Sequence, residues 1–114
     1  MIEVCITCIY NMHMTFEWDE NKNILNQTKH GVSFEDAKTV FWDENAVLIP
    51  DPDHSGDEER FILLGFDRNA KMLVVVHCYR LNDSIIRLIS ARKETKNEKK
   101  QYRANKKEGE SNER

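Results

Sequence analysis

Residues 60–66 read Arg-Phe-Ile-Leu-Leu-Gly-Phe, and residues 72–79 read Met-Leu-Val-Val-Val-His-Cys-Tyr. Both stretches are dense in β-branched and aromatic residues, which predicts two strands, and the short turn Asp67–Lys71 between them predicts an antiparallel hairpin. Neither strand alternates apolar and polar residues, so both faces of the sheet must be covered. The hairpin therefore predicts a central sheet with other elements packed on each side.

Further strands flank this hairpin along the chain. Ala46–Ile49 precedes it and is closed by Pro50 and the acidic loop Asp51–Glu59, while Ser84–Ala91 follows the tight turn Leu81–Asp83. Short connections place consecutive strands side by side and antiparallel. We therefore predict a meander of four strands.

The N-terminal part of the chain has helical periodicity. Asp19 is a good N-cap, Gly31 is the residue expected just past a helix end, and Ser33 is a second capping residue. The whole pattern predicts an α+β fold that begins with a strand over Thr15–Trp18, a helix over Glu20–His30 and a helix over Phe34–Phe41.

The two ends of the chain set the limits of the predicted domain. Residues 1–13 are irregular and are predicted to be a disordered or mis-started extension, with Met1, Met12 or Met14 as the true start. From Lys93 the pattern turns helical, and residues 105–114 have nothing to bury and are predicted to be a charged tail. A single domain over residues 14–104 remains. Its third helix covers only part of one sheet face, which indicates a partner protein or a dimer.

Composition excludes several classes of protein. The chain of 114 residues, 39 % hydrophobic and 32 % charged, suits one domain with a modest core. No apolar run approaches the roughly 20 residues of a membrane span, and Met1–Tyr10 lacks the basic residues of a signal peptide. Three cysteines, an odd number, favour a reducing compartment. We therefore predict a cytoplasmic protein without a membrane segment.

Charge is unevenly distributed along the chain. Residues 1–91 hold 8 Lys and Arg against 15 Asp and Glu, whereas residues 92–114 hold 9 against 5. The net charge of −3 alone argues against a nucleic-acid partner, but this asymmetry indicates a basic patch on an acidic body. The acidic part is suited to attract a basic partner protein. A solvated C-terminal helix without a partner fits the same counts.

A basic cluster at the end of the last predicted strand is the strongest candidate site. Arg87, Arg92 and Lys93 lie there, and Arg80 ends the preceding strand. Arg87 and Arg92 have opposite parity, so they share a face only if the strand bends or ends between them, as an end at about Ala91 would allow. Guanidinium groups bind phosphates at two points. Pairing with a carboxylate such as that of Glu59 is the structural alternative.

Other polar residues have two interpretations each. His77 lies within an apolar strand and is interpreted as a core histidine rather than a catalyst. His30, beside Lys29, suits either a helix C-terminus or the wall of an RNA groove. Tyr102 lies among basic residues and is suited either to stack on a base or to anchor the C-terminal helix on the sheet.

Metal and cofactor sites have little support. The loop from Asp51 begins like a calcium loop, but its twelfth position is Ile62 where a glutamate should stand. Cys5, Cys8 and His13 resemble zinc ligands that lack a fourth member. The chain has no nucleotide-binding loop, glycine-rich fingerprint or nucleophile elbow, so we predict no cofactor.

Four blocks of sequence resemble one family, the BrnT toxins of type II toxin–antitoxin systems. The match runs in order from about Thr15 to Tyr102, and leaves out the first 13 residues and the tail. The blocks are Phe16–Lys22, Lys29–Ala37, Asp51–Ser55 followed by Glu58–Phe61, and Arg87–Lys93.

The resemblance implies a RelE-like fold and a ribonuclease that arrests translation. It also implies a small, BrnA-like, DNA-binding antitoxin that neutralises the toxin in a hetero-oligomer, through which the toxin touches DNA only indirectly. Such a site acts through dispersed basic residues without a metal. The roles it implies are phosphate stabilisation by Arg87 and Arg92, support by Arg60 and Lys93, a general base at Glu59, and a groove wall at Lys29 and His30. Arg80 matches no block.

Two rival hypotheses stay open. The chain could be an inactive toxin homologue that acts as a binding partner in a repressor complex. It could also be a metal-dependent nuclease that uses Asp51, Asp53, His54 and Asp57, although this acidic cluster has no basic residue near it before Arg60. Growth arrest on expression separates the first rival from an active toxin, and inhibition by EDTA identifies the second.

Overall fold

A computed structural model describes residues 15–51, 59–80 and 84–112 of the chain, with side chains through Ala104. The α+β fold predicted from the sequence is confirmed. The elements in chain order are β1 (Thr15–Glu17), α1 (Glu20–His30), α2 (Phe34–Ala37) continuing as a 3-10 helix (Lys38–Trp42), β2 (Val47–Pro50), β3 (Phe61–Phe66), β4 (Met72–Arg80), β5 (Ile85–Lys93) and α3 (Lys96–Asn112).

One sheet organises the described residues, with strand order β1-β5-β4-β3-β2. The antiparallel meander from β2 to β5 is as predicted. β1 adds to the far side of β5 in parallel, and this pairing sets Glu17 directly beside Arg87. The first strand therefore contributes side chains to a part of the sheet formed by residues some 70 positions later.

The helix boundaries follow the predicted capping residues. The Asp19 carboxylate accepts hydrogen bonds from the backbone N–H groups of Asn21 and Lys22, and Gly31 ends α1 with a left-handed φ of 70°. The Ser33 hydroxyl accepts a hydrogen bond from the Asp36 N–H. The second helix differs from prediction, because its α-helical part ends at Ala37 and the chain tightens into a 3-10 helix.

The C-terminal boundary also differs from prediction. β5 continues through Lys93, where the sequence predicted helix, and α3 starts at Lys96. The helical backbone extends to Asn112, into the segment predicted to be a tail, and the proposed limit of the domain at residue 104 stays a prediction. Among the described helices, none has the length and apolarity needed to cross a membrane.

Each face of the sheet has its own apolar cluster. The larger cluster lies under α2 and contains Phe34, Val40, Val75 and Leu88 among its fully buried side chains. We call this side the α2 face. The smaller cluster joins Tyr102 of α3 to side chains of β3 and β4, and we call that side the α3 face: Leu64, Met72, Val74. α3 packs on β2 and β3, and its Tyr102 also reaches Met72 and Val74 of β4.

Asn26 closes the edge of β5 where β1 stops. Its side-chain amide donates to the backbone carbonyl oxygens of Val32 (2.8 Å) and Ala91 (2.9 Å), and its side-chain oxygen accepts from the Ala91 N–H (3.1 Å). A buried amide side chain thus replaces the missing strand partner and satisfies both polar groups of Ala91. This contact fixes α1 beside the end of β5.

Asp43 links α3 to the sheet. Its carboxylate accepts hydrogen bonds from the backbone N–H groups of Asn45 and Phe66 and from the Tyr102 hydroxyl, each at 2.9 Å. Gly65 permits this close approach, because a Cβ at that position would lie 2.9 Å from an Asp43 carboxylate oxygen. The start of α3 is therefore anchored on a carboxylate that the sheet itself orders.

Candidate functional site

A β-bulge in β5 decides which side chains share the α3 face. Val76 pairs with Ser90 and His77 pairs with Leu88, so Ile89 is an extra residue in β5. The bulge shifts the alternation of side chains by one position. Leu88 before it and Ala91 after it, three residues apart, both belong to the buried cluster on the α2 face.

The same shift brings Arg87 and Arg92 onto one face. Arg87 lies opposite Cys78 and Arg92 lies opposite Val74, and directly opposed residues of an antiparallel pair point to the same side. Val74 and Cys78 are four residues apart on one strand, so the two arginines lie about 13 Å apart along the sheet. The predicted shared face is present, but the strand achieves it by a bulge rather than by ending at Ala91.

Glu17 binds two of the predicted arginines. The same carboxylate oxygen, Oε2, accepts two hydrogen bonds. Arg87 donates one at 2.9 Å, and Arg80 donates the other at 3.0 Å. The exposed fractions of the side chains are 33 % for Arg87, 48 % for Arg80 and 34 % for Glu17. Each guanidinium has five N–H donors, and both side chains are partly exposed. The three residues form one cluster, here called the Glu17 cluster.

Arg92 is held by the start of α3. Its guanidinium makes a two-point ion pair with Glu98, at 3.0 and 2.7 Å. Glu98 also accepts from the Thr95 N–H and donates its own backbone N–H to the Thr95 hydroxyl, which is a capping box. Hydrogen bonding to Arg92 lowers the pKa of Glu98, and the same bonds raise the pKa of Arg92. Arg92 therefore connects β5 to α3.

Arg60 belongs to the same face by register. Phe61 pairs with His77, so Arg60, one position earlier, lies beside Cys78 of β4. On the other side of β4, Cys78 pairs with Arg87. The Asp51 N–H donates to the Arg60 carbonyl oxygen at 2.9 Å, which continues the strand pairing to this residue. The structure thus places Arg60, Arg80, Arg87 and Arg92 on the α3 face.

Other predicted site residues lie elsewhere. Lys93 pairs with Leu73 of the α2 face, so it does not join Arg87 and Arg92 as the sequence suggested. Lys29 and His30 are exposed in the last turn of α1, at the β5 edge. Glu59 is exposed two residues before β3, and no contact between it and an arginine is described. The predicted partner of an arginine, Glu59, is replaced by Glu17.

Tyr102 anchors α3 and presents no open ring face for a base. Only 4 % of its surface is exposed, its ring meets Phe66 edge to face with centroids 5.2 Å apart, and its hydroxyl donates to Asp43. Burial, together with the hydrogen bond to Asp43, raises the pKa of Tyr102 to about 12. Of the two interpretations of Tyr102, the structure favours the anchor over the stacking surface.

His77 is a core residue, as interpreted from the sequence. It is fully buried, packs against Phe41 with ring centroids 4.8 Å apart, and has polar contacts with the Val75 carbonyl oxygen and the Tyr79 hydroxyl. Burial lowers the pKa of His77 to about 4, so the ring is neutral near pH 7. It lies on the α2 face, away from the Glu17 cluster.

Sequence reasoning missed the two carboxylates that order the arginines. Glu17 had one local signal, a charge within the short strand pattern, but its pairing with Arg87 depends on a parallel contact between distant segments. Glu98 forms a capping box with Thr95, a pattern visible in the sequence. Their roles follow from the tertiary structure.

The residues considered for metals are largely outside the described chain. Asp53, His54 and Asp57 of the acidic loop, and Cys5, Cys8 and His13, are among residues that the structure does not describe. Within residues 15–51, 59–80 and 84–112 no group of three His, Cys, Asp or Glu side chains is placed to hold a metal. The calcium and zinc hypotheses stay untested.

Known proteins share the fold of this chain and a family-wide sequence pattern. A search of curated proteins finds no match. Among solved structures, the chain resembles the Brucella abortus ribonuclease toxin BrnT, with a TM-score of 0.56 and 24 % sequence identity, covering 73 % of this chain and 99 % of that one. At this identity the likeness concerns the fold. The model of the family described as "Ribonuclease toxin, BrnT, of type II toxin-antitoxin system" matches residues 18–98. The chain therefore belongs to the BrnT family of ribonuclease toxins.

Proposed function

We propose that this protein is an endoribonuclease of the cytoplasm that arrests translation without a metal. A small DNA-binding antitoxin of the BrnA type neutralises it, and the toxin reaches DNA only through that partner. Membership of the BrnT family supports the ribonuclease assignment and the existence of an antitoxin. The observation that carries the proposal is the Glu17 cluster, in which one carboxylate orders Arg80 and Arg87 on a half-exposed sheet surface.

The proposed chemistry is an attack by the ribose 2′-hydroxyl on the adjacent phosphate. A base takes the hydroxyl proton, the 2′-oxygen bonds to phosphorus, and the bond to the 5′-oxygen of the next nucleotide breaks. The products are a 2′,3′-cyclic phosphate and a 5′-hydroxyl, which receives a proton. Arg87 binds the phosphate oxygens, whose negative charge increases at the transition state. Arg80 and Arg60 bind the RNA beside it.

Glu17 is the carboxylate best placed to take part. It contacts both Arg80 and Arg87, whereas Glu59 has no described contact with either. A carboxylate beside the phosphate-binding arginine is within reach of the 2′-hydroxyl of a nucleotide held there. Glu17 is therefore our first candidate for the general base, and Glu59, proposed from the sequence, is the second.

Arg92 has a structural contact that complicates its proposed role. Its ion pair with Glu98 joins β5 to the start of α3, so Arg92→Ala also removes a contact that orders the helix. Relief of growth arrest by that variant would not separate catalysis from folding. Arg87→Gln is the sharper test, because Arg87 contacts Glu17 and does not contact α3 in the described structure.

Growth measurements test the proposal in cells. Expression of the wild-type chain should stop growth, and expression of Arg87→Gln should not. Arg68→Gln is a matched control, because Arg68 is also exposed and ion-paired, with Asp36 at 2.9 Å, but lies at the β3–β4 turn. Normal growth with the wild-type chain would favour the alternative, an inactive homologue that acts in a repressor complex.

The antitoxin has its own test. Co-expression of a small basic protein encoded beside this gene should restore growth and co-purify with the toxin as a hetero-oligomer. The acidic balance of residues 1–91, with 15 Asp and Glu against 8 Lys and Arg, supports a partner of opposite charge. Binding of a promoter fragment by the complex, and not by the isolated toxin, tests whether DNA contact is indirect.

A further inference from the structure

Among the described side chains of α3, one side of the first two turns carries only positive charge. Four basic side chains project from the first two turns of this helix, and all four are exposed: Lys96, Lys99, Lys100, Arg103. Successive residues of an α-helix are rotated by about 100°, so all four lie between roughly 60° and 160° from the direction of the buried Tyr102. We call this surface the basic flank. The opposite side of the helix carries Gln101 and Glu98, of which Glu98 is paired with Arg92.

Within residues 15–51, 59–80 and 84–104, the basic flank has no described carboxylate partner, unlike four of the arginines. Arg68, Arg80 and Arg87 are paired with Asp36 or Glu17, and Arg92 is paired with Glu98. No ion pair of the basic flank is described within residues 15–51, 59–80 and 84–104. Glu98, on the first turn of α3, is already engaged by Arg92. Among the side chains that the structure describes, none neutralises the positive charge of the flank.

Two anchors fix the direction in which the flank points. The Arg92–Glu98 ion pair holds the first turn of α3, and the Tyr102 hydroxyl bonds to Asp43 of the body. Because these two contacts hold α3 against the sheet, the four basic side chains keep a fixed position relative to the sheet. At 1.5 Å per residue they extend over about 10 Å of the helix axis, a row suited to consecutive phosphates.

The basic flank is close along the chain to the arginines of the α3 face. α3 packs on the same sheet face that holds Arg87, and the flank begins four residues after Arg92. The rest of the chain repels an anion, since residues 1–91 carry seven more acidic than basic side chains. RNA is therefore attracted more strongly to the C-terminal residues from Arg92 onward than to the rest of the chain.

We propose that the basic flank binds the phosphate backbone of the single-stranded RNA whose scissile phosphate lies at the Glu17 cluster. This inference rests on the proposed ribonuclease function and adds a second RNA contact to it. The flank contacts phosphates only, so it increases affinity without selecting a base sequence. It is a binding surface and takes no part in the bond-breaking step.

The test compares two charge-matched double variants. Lys96→Gln/Lys100→Gln removes two cations of the flank, and Lys22→Gln/Lys71→Gln removes two exposed lysines of the body. Binding of an uncleavable 2′-O-methyl single-stranded RNA is measured by fluorescence anisotropy between 50 and 200 mM salt. The logarithm of the binding constant falls linearly with the logarithm of the salt concentration, and each lost phosphate contact makes this slope less steep by about 0.7. The flank variant lacks two such contacts, so we expect its slope to be less steep by about 1.4. Near 0.1 M salt it should bind the RNA about 20-fold more weakly than the wild type. The body variant should match the wild type.

The outcomes separate this inference from the function on which it rests. An unchanged slope in the flank variant overturns the inference, while cleavage of RNA by the wild-type chain would still support the ribonuclease. A wild-type chain that neither binds nor cleaves RNA contradicts both. A duplex DNA of equal length is the second probe. If the flank substitutions weaken binding of duplex DNA more than binding of RNA, the flank is a DNA contact and the inference is wrong.

Discussion

Arg87 and Arg92 lie on the same face of the sheet although five positions separate them, because Ile89 is an extra residue in β5. Without a bulge an odd spacing would put the two side chains on opposite faces. The bulge also keeps Leu88 and Ala91 in one buried cluster. Bulges are common beside functional sites, where they redirect side chains. This one sets two arginines on the same side as α3.

Asn26 should be a determinant of stability. Asn26→Ala leaves the Ala91 N–H, the Ala91 carbonyl and the Val32 carbonyl without their described side-chain partner. Loss of this buried network should lower the free energy of unfolding by about 3 kcal/mol. Thermal denaturation should show a Tm lower by more than 10 °C, by the usual scaling for a domain of about 100 residues. Asn21→Ala, on the exposed side of α1, is the control and should change little. Equal Tm values for the two variants would contradict the role of Asn26.

His77 should make the protein less stable in acid. Its folded pKa of about 4 lies below the ordinary 6.5, so the folded state binds fewer protons there than the unfolded state. The stabilisation is complete above pH 6.5 and is lost as the pH falls towards 4, by about 3 kcal/mol. His77→Gln cannot titrate, so urea denaturation should show a smaller loss between pH 7 and pH 4 than in the wild type. An unchanged slope in His77→Gln would show that another group is responsible.

Glu17 should affect turnover and RNA affinity in opposite directions. Glu17→Gln removes the base and frees Arg80 and Arg87 from a carboxylate that competes with phosphate. We expect kcat to fall by about 100-fold, in the range of general-base catalysis, while KM decreases. Glu59→Gln should leave both within a few-fold of wild type. The assignment is reversed if Glu59→Gln abolishes turnover and Glu17→Gln does not.

Tyr102 should titrate far above a free tyrosine. Its pKa is raised to about 12 by burial and by the Asp43 carboxylate, so the anchor of α3 is complete below pH 10 and is lost as the pH rises through 12. The difference in absorbance titration between wild type and Tyr102→Phe isolates this phenol. Tyr102→Phe should also cost about 1 kcal/mol, because Asp43 keeps its two backbone donors. A phenol that titrates near pH 10 would mean that Tyr102 is not anchored.

Much of the fold was predictable because its signals are local. The apolar runs in β3 and β4, the short turns between strands and the capping residues Asp19 and Ser33 each depend on neighbouring residues. These signals gave the meander and the helix starts. The change from α-helix to 3-10 helix after Ala37 was not predicted, because the periodicity of apolar residues continues through Phe41.

The site was predictable only in part, because it depends on distant contacts. The sequence identified Arg87 and Arg92 from their position at a strand end. Their common face depends on a bulge opposite Val76 and His77, and no residue type in the sequence predicts that bulge. Glu17 reaches Arg87 through a parallel strand pair formed across 70 residues. Tyr102 had two interpretations from the sequence, of which the anchor was favoured, and the contact with Asp43 supports that one.

Cleavage of RNA by the purified chain tests the central claim most directly. Wild-type protein, Arg87→Gln and the control Arg68→Gln are incubated with a labelled single-stranded RNA in the presence of EDTA, and the product ends are identified. The account predicts 2′,3′-cyclic phosphate ends from the wild type and from Arg68→Gln, and a rate about 100-fold lower for Arg87→Gln, as expected for loss of a charge-stabilising donor. Cleavage that EDTA abolishes, or an equal rate in folded Arg87→Gln, would contradict it.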